Sequence, residues 1–235
     1  MKKLMTLTLF LTSLVAFAQT KHIYCIPGTG TDYRIFTKMV FDTGYVVHYV
    51  DYVLPDSGSS MNDYAHKLAE QIDTTQPYII IGASLGGMLA VEMADFLHPE
   101  KVILIASAKT VDELPYRYKF QKKVPIQRLV SGEVIKTSTL ILQPLVEPDR
   151  NKEKETFIAM LHDKDPIFMK RAVDMILDWE RTEYDSTLIV HIHGNHDKTI
   201  PYRNVTADYT IEKGSHVMCF TRSEEISAIV REVLP

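Results

Sequence analysis

Cysteine is scarce in this chain, with two among 235 residues. Two thiols are too few for a disulfide scaffold or a zinc site built on thiolates alone. Glycine and proline, at 10 and 11, are too few for collagen-like or low-complexity classes. There is no excess of positive charge. Lysine and arginine total 26 against 30 acidic residues, a formal charge of −4. No phosphate-neutralising surface follows from that balance, so nucleic acid is not an expected partner. At 46% hydrophobic and 24% charged, the chain is neither disordered nor a polytopic membrane protein. What is present suits one soluble globular domain, or a domain with an inserted cap, long enough to bury a core without staples.

The N-terminus reads as an address. Lys2 and Lys3 precede an apolar run from Leu4 to Phe17, and Ala16-Phe17-Ala18 is a small-x-small cleavage signal. The run is short for a membrane span of about 20 residues. A cleaved signal peptide over Met1–Ala18 is therefore expected, with the mature chain beginning at Gln19 and exported to the periplasm or beyond. No membrane span is expected after cleavage.

Short apolar strands alternate with amphipathic helices after that. Strands are expected at His22–Ile26, Tyr45–Tyr52, Tyr78–Ile81, Val102–Ala106, Leu188–Ile192 and Asp208–Ile211. Helices are expected at Asp32–Val40, Asn62–Ile72, Leu85–Leu97 and Glu224–Val233. Nearly continuous apolar strands separated by helices predict a mostly parallel sheet covered on both faces, the α/β class. From about residue 108 to about 183 the alternation stops. Helical readings at Val111–Phe120 and Lys152–Trp179 make this stretch a helical cap inserted between two strands, too long for an ordinary connection.

One motif carries chemistry. Gly82-Ala83-Ser84-Leu85-Gly86 fits G-x-S-x-G, with a buried strand leading in and a helix leading out. A serine at such a turn sits in strained backbone geometry with its hydroxyl pointing outward. The flanking glycines are needed because residues two before and two after approach closely. The Leu85 N–H then lies at a helix N-terminus, suited to stabilising an oxyanion. A serine hydroxyl needs a base, and that base an orienting carboxylate. Two stretches at strand ends offer them: His193-Gly194-Asn195-His196-Asp197 and Lys213-Gly214-Ser215-His216.

With these residues in view, Lys21 to Pro235 resembles the α/β-hydrolase superfamily. The resemblance implies an α/β-hydrolase domain over residues 19–235, with about six mostly parallel strands and the cap as its least recognisable part. It implies Ser84 as nucleophile, Asp197 as acid and His216 as base, in the family's chain order. It implies Thr29, in Pro27-Gly28-Thr29-Gly30, as the second oxyanion donor beside Leu85, with Gly30 competing. Proline here replaces the family's usual histidine. The implied activity is hydrolysis of an ester or related small acyl substrate through an acyl-enzyme, without cofactor or metal. An inactive binding protein on the same fold, or an exported acyltransferase, thioesterase or peptidase using the same residues, is the alternative.

Other residues carry weaker signals. Asp112 is the runner-up acid. His193 and His196 read as structural, because H-x-x-H-D lacks a third metal ligand. Tyr33, Arg34 and Phe36 are split evenly between pocket lining and packing. Tyr116, Tyr118, Phe120, Phe157, Phe168 and Trp179 read mostly as cap core. Arg117, Lys119, Lys122 and Lys123 read as a solvated helix face. Cys25 and Cys219 are candidates for pairing in an oxidising compartment, at a separation the sequence does not give.

Overall fold

β-Branched and aromatic residues set the strands. β1 (Lys21–Ile26), β2 (Tyr45–Tyr49), β3 (Tyr78–Ala83), β4 (Lys101–Ile105), β5 (Ile189–Gly194) and β6 (Tyr209–Ile211) form one parallel sheet in the order β2-β1-β3-β4-β5-β6. The computed structural model describes residues 20–123 and 129–235. The leader expected at Met1–Ala18 lies outside the described residues. Six parallel strands are what the sequence predicts.

Alternation along the central strands divides the core between the two faces. Ile23 and Cys25 of β1, Ile79 and Ile81 of β3, and Ile103 and Ile105 of β4 face Ile226 and Val230 of α8 (Ser223–Val233). Tyr24 and Ile26, Tyr78 and Ile80, and Val102 and Leu104 face α1 (Met61–Ala69) and α2 (Leu85–Leu97) on the other side. β3 is buried along its whole length. Each of its isoleucines contributes about 1.5–3 kcal/mol of burial. Helix α1 starts at a capping box in which Ser60 and Asp63 satisfy each other's backbone N–H. Glu92 is buried on α2 between cap and sheet domain. It accepts from Trp179 Nε1 at 2.8 Å and Asn62 Nδ2 at 3.1 Å.

Between β4 and β5 the chain forms α3 (Tyr116–Lys123), α4 (Gly132–Val146), α5 (Lys154–His162) and α6 (Pro166–Asp178). Helix α4 has no counterpart in the sequence reading. Its middle, Lys136-Thr137-Ser138-Thr139, is poor in strong helix formers, and Pro144 sits in its last turn. The stretch read as one helix from Lys152 to Trp179 breaks before Pro166, where the Asp165 side chain caps a new helix. The helix expected at Asp32–Val40 is a single 3₁₀ turn, Tyr33–Phe36, because the Asp32 carboxylate bonds the Arg34 N–H and tightens it. Among the described residues no helix is long and apolar enough to cross a membrane. A short helix α7 (Met218–Thr221) precedes α8.

The strand order reverses around β1: β2 lies on one side of it, β3 and all later strands on the other. The loops leaving the C-terminal ends of β1 and β3 therefore part at this switch point and open a crevice between them.

Candidate functional site

Ser84 sits at that crevice, between β3 and α2. Its backbone adopts φ 52° and ψ −120°, a left-handed-side conformation that an L-residue reaches only under strain of about 1–3 kcal/mol. Neighbours hold it there. The Ser84 N–H donates to the Ile105 carbonyl at 3.1 Å, and the buried Ser107 hydroxyl donates to the Ser84 carbonyl at 2.6 Å. The glycines are sterically required. A Cβ on Gly82 would fall on the Gly86 backbone, and one on Gly86 would fall on the carbonyls of Ile26 and Pro27. The loop after β1 also comes near, since a Cβ on Gly28 would lie 3.2 Å from the Ser84 Cβ. Among the described residues the Thr29 and Leu85 N–H groups have no acceptor, as expected for a helix first turn in the case of Leu85.

The other two motif residues arrive from the ends of β5 and β6. Gly194 and Gly214 let these loops touch, since a Cβ on Gly194 would strike the Gly214 backbone. The His196 N–H donates to the Gly214 carbonyl at 2.9 Å, and the Lys213 N–H to Asn195 Oδ1 at 2.7 Å. The structure thus brings the three side chains together. His216 Nε2 lies 2.9 Å from Ser84 Oγ, and His216 Nδ1 lies 2.8 Å from Asp197 Oδ2. Asp197 is buried, and its Oδ1 accepts the Thr199 and Ile200 N–H groups, each at 2.8 Å. One carboxylate therefore shapes its own turn and orients the imidazole.

A second carboxylate, absent from the sequence reading, braces the same loops. Glu147 follows the end of α4 and is fully buried. Its Oε1 accepts the Lys198 N–H at 3.1 Å, the Thr199 N–H at 3.1 Å and the Thr199 hydroxyl at 3.0 Å. Its Oε2 accepts the His216 N–H at 3.0 Å. Burial presses the His216 pKa down. The negative charges of Asp197 and Glu147 and the Asp197 hydrogen bond more than offset this, so it stands above the ordinary histidine value.

A cavity of about 560 Å³ opens over Ser84 and His216. The β1 loop supplies Thr29 and Gly30, and the cap supplies Leu142, Met169, Val173 and Ile176 to its walls. Several residues weighed in the sequence fall elsewhere. Arg34 pairs with Asp32 and Asp163, Phe36 is core, and Tyr33 packs on Tyr49. Ile35 is the member of that turn that reaches the cavity. Of the cap aromatics, Tyr118 and Phe157 line the cavity, Phe168 and Trp179 are core, and Tyr116 and Phe120 are exposed. Asp112 lies exposed in a 3₁₀ turn after β4. Arg117 is exposed, as a solvated face predicts, and also stands on the cavity wall. The side chains of Lys119, Lys122 and Lys123 lie outside the described residues.

His193 is fully buried, with Nε2 donating to the Ile200 carbonyl at 2.9 Å and Nδ1 3.1 Å from His191 Nε2. Burial holds both imidazoles below the ordinary value, hence neutral. His196 is exposed, so the two histidines of the H-x-x-H spacing diverge. Among the described residues no cluster of three or more histidine, cysteine or acidic side chains is arranged to hold a metal ion. Cys25 and Cys219 are buried and free, and Cys219 Sγ rests 3.8 Å from Met39 Sδ.

No protein-family model and no curated protein matches this sequence. Solved structures do. An enol-lactonase from Burkholderia xenovorans is 13% identical, covering 91% of this chain and 90% of its own, at a TM-score of 0.66. A thermophilic esterase from Thermogutta terrifontis is 16% identical, covering 91% and 89%, at 0.59. A type II thioesterase from the yersiniabactin biosynthetic pathway is 13% identical, covering 91% and 92%, at 0.58. At such identities the likeness is one of fold, extending over nearly the whole of each chain.

Proposed function

We propose, from the premise that the chain has the α/β-hydrolase fold, that it hydrolyses an ester or related acyl compound, most simply as a carboxylesterase. The observation that carries this reading is the hydrogen-bonded series Ser84–His216–Asp197, with contacts of 2.9 and 2.8 Å, at the floor of the cavity. Ser84 Oγ attacks the carbonyl carbon while His216 Nε2 takes its proton. The Asp197 carboxylate holds the imidazole tautomer and stabilises the imidazolium. The N–H groups of Thr29 and Leu85, which have no acceptor among the described residues, stabilise the oxyanion. The carbon–oxygen bond to the leaving group breaks, and His216 returns the proton to the departing alkoxide. Water then attacks the acyl-enzyme, giving its proton to His216, which passes it to Ser84 Oγ as the bond from that oxygen to the acyl carbon breaks. The ester and one water become an acid and an alcohol, and Ser84 is regenerated. The sequence consumes nothing else, so no cofactor enters it. The leader expected at Met1–Ala18 supports a site of action outside the cytoplasm.

The test is labelling by a fluorophosphonate probe beside turnover of 4-nitrophenyl acetate and butyrate. Wild type labels and turns over both esters, and Ser84→Ala does neither. Equal labelling of the two proteins overturns the assignment. Thioesters and aminoacyl amides in the same panel fix the kind of acyl bond.

A further inference from the structure

Arg117 is the one Asp, Glu, Lys or Arg on the cavity wall among the described residues. Helix α3 carries it to the rim, where two contacts hold its guanidinium. Nη2 donates to the Thr199 carbonyl at 2.6 Å, and Cζ lies 5.0 Å from the Tyr118 ring centroid. Thr199 and Tyr118 both line the same cavity. The charge is close enough to Ser84's partner to lower the His216 pKa, against the upward pull of Asp197 and Glu147. Among the described residues no carboxylate pairs with Arg117, and the Thr199 carbonyl is its one hydrogen-bond acceptor. A guanidinium carries five donors in a planar fork. Most of that fork remains unused at the entrance to the site.

No carboxylate on the cavity wall neutralises this charge by direct contact among the described residues. Asp197 and Glu147, the nearby carboxylates, are both buried and do not line the cavity. Their oxygens already accept N–H or O–H donors from the Asp197 turn and from His216. The α6 wall is apolar at Met169, Val173 and Ile176, while α4 offers Ser138, Thr139 and Gln143 beside the exposed Leu142. We propose that the substrate is an anionic ester, with its apolar chain against α6 and a carboxylate held at the rim by Arg117. This rests on the hydrolase reading above and names the class of substrate for that same site. The carboxylate belongs either to the acyl half or to the leaving group, and both place the same anion against the same fork.

Paired substrates test it. 4-Nitrophenyl hemiglutarate against 4-nitrophenyl valerate places the charge on the acyl side. 4-(Butyryloxy)benzoate against its methyl ester places it on the leaving group. kcat/KM is measured with spontaneous hydrolysis subtracted, at pH 8 and again in 0.5 M salt, for wild type, Arg117→Gln and Arg117→Lys. In at least one pair the anionic-to-neutral ratio falls about tenfold in Arg117→Gln, the scale of a charged hydrogen bond. Arg117→Lys retains part of it, and salt lowers the wild-type ratio. Thermal unfolding of each variant shows that the fold is kept. Neutral esters cleaved with both ratios unmoved by Arg117→Gln overturn the anion assignment alone. Absence of turnover on every ester overturns the hydrolase reading and this inference with it.

Discussion

The backbone N–H of His216 donates to the carboxylate of Glu147 at 3.0 Å, across 69 positions of sequence. That bond joins the end of α4 to the loop holding the imidazole, while the other oxygen of Glu147 grips the turn after Asp197. In the proposed mechanism Glu147 is thus a positioning residue, touching no reacting atom, with two separable effects. Its charge raises the His216 pKa, and its oxygens fix both loops. Glu147→Gln removes the charge, so the acidic limb of the kcat/KM profile moves toward lower pH. Glu147→Ala also leaves buried donors unpaired. It costs about 1–3 kcal/mol of stability and about 10²-fold in kcat through misplacement of His216. An acidic limb unmoved in Glu147→Gln would show that the carboxylate acts by shape alone.

In the proposed mechanism activity requires neutral His216 and therefore rises with pH through the imidazole pKa. Burial lowers that pKa, but Asp197 and Glu147 lift it above the ordinary value, so the acidic limb of kcat/KM lies above pH 6.5. The stability sign is opposite. A histidine whose pKa is raised by folding stabilises the protein below its unfolded value, and that contribution is lost as pH rises through the folded value. Asp197→Asn removes the largest upward influence. Its acidic limb moves down in pH, the stability contribution shrinks, and kcat falls on the order of 10³–10⁴-fold. Kinetics and thermal melts across pH 5 to 9 read both signs in one series.

Ser84 concentrates strain where the proposed chemistry is. At φ 52° a glycine is relaxed and a serine is not. Ser84→Gly therefore abolishes turnover, by several orders of magnitude, yet unfolds at higher temperature, by about 1 kcal/mol of added stability. Ser84→Ala is equally inactive without that gain, because its Cβ keeps the strain. Differential scanning calorimetry of the two variants beside wild type checks the order, and a Ser84→Gly protein less stable than Ser84→Ala would contradict it.

The sheet and the convergence of Ser84, Asp197 and His216 were legible because their signals are local. Each lies just past an apolar strand and beside glycines that permit a tight turn. Glu147 gave no such signal. It stands between Val146 and Pro148 at the edge of a charged run, and only the folded cap buries it. Arg117 is exposed, as a solvated face predicts, and it also stands at the cavity mouth. Helical periodicity places a cation on a polar face without telling whether that face meets water or a cavity. The cap as a whole was the least legible part, since α4 lacks strong formers at its centre and α5 and α6 are separated by a cap at Asp165 that a continuous apolar pattern conceals. The short turn at Tyr33–Phe36 was overextended because its apolar spacing suits a helix while the Asp32 side chain closes it early.

Gly86 tests whether the turn around Ser84 is as tightly packed as the backbone indicates. A Cβ there meets the carbonyls of Ile26 and Pro27, which belong to β1 and to the loop carrying Thr29. Neither is a flexible side-chain end, so the clash is relieved only by moving the strand or the helix. Gly86→Ala is expected to cost about 3 kcal/mol or more, at the upper end for a single methyl. Gly44→Ala, where an added Cβ meets nothing within 4 Å, serves as the control and stays within about 0.5 kcal/mol of wild type. Displacing the β1 loop also moves the Thr29 N–H away from the Ser84 hydroxyl. The folded fraction of Gly86→Ala, isolated at low temperature, should therefore lose kcat as well as stability. Chemical denaturation with single-turnover kinetics on that fraction separates the two effects. A Gly86→Ala protein with wild-type stability would mean that β1 and α2 lie further apart than the crevice at Ser84 requires.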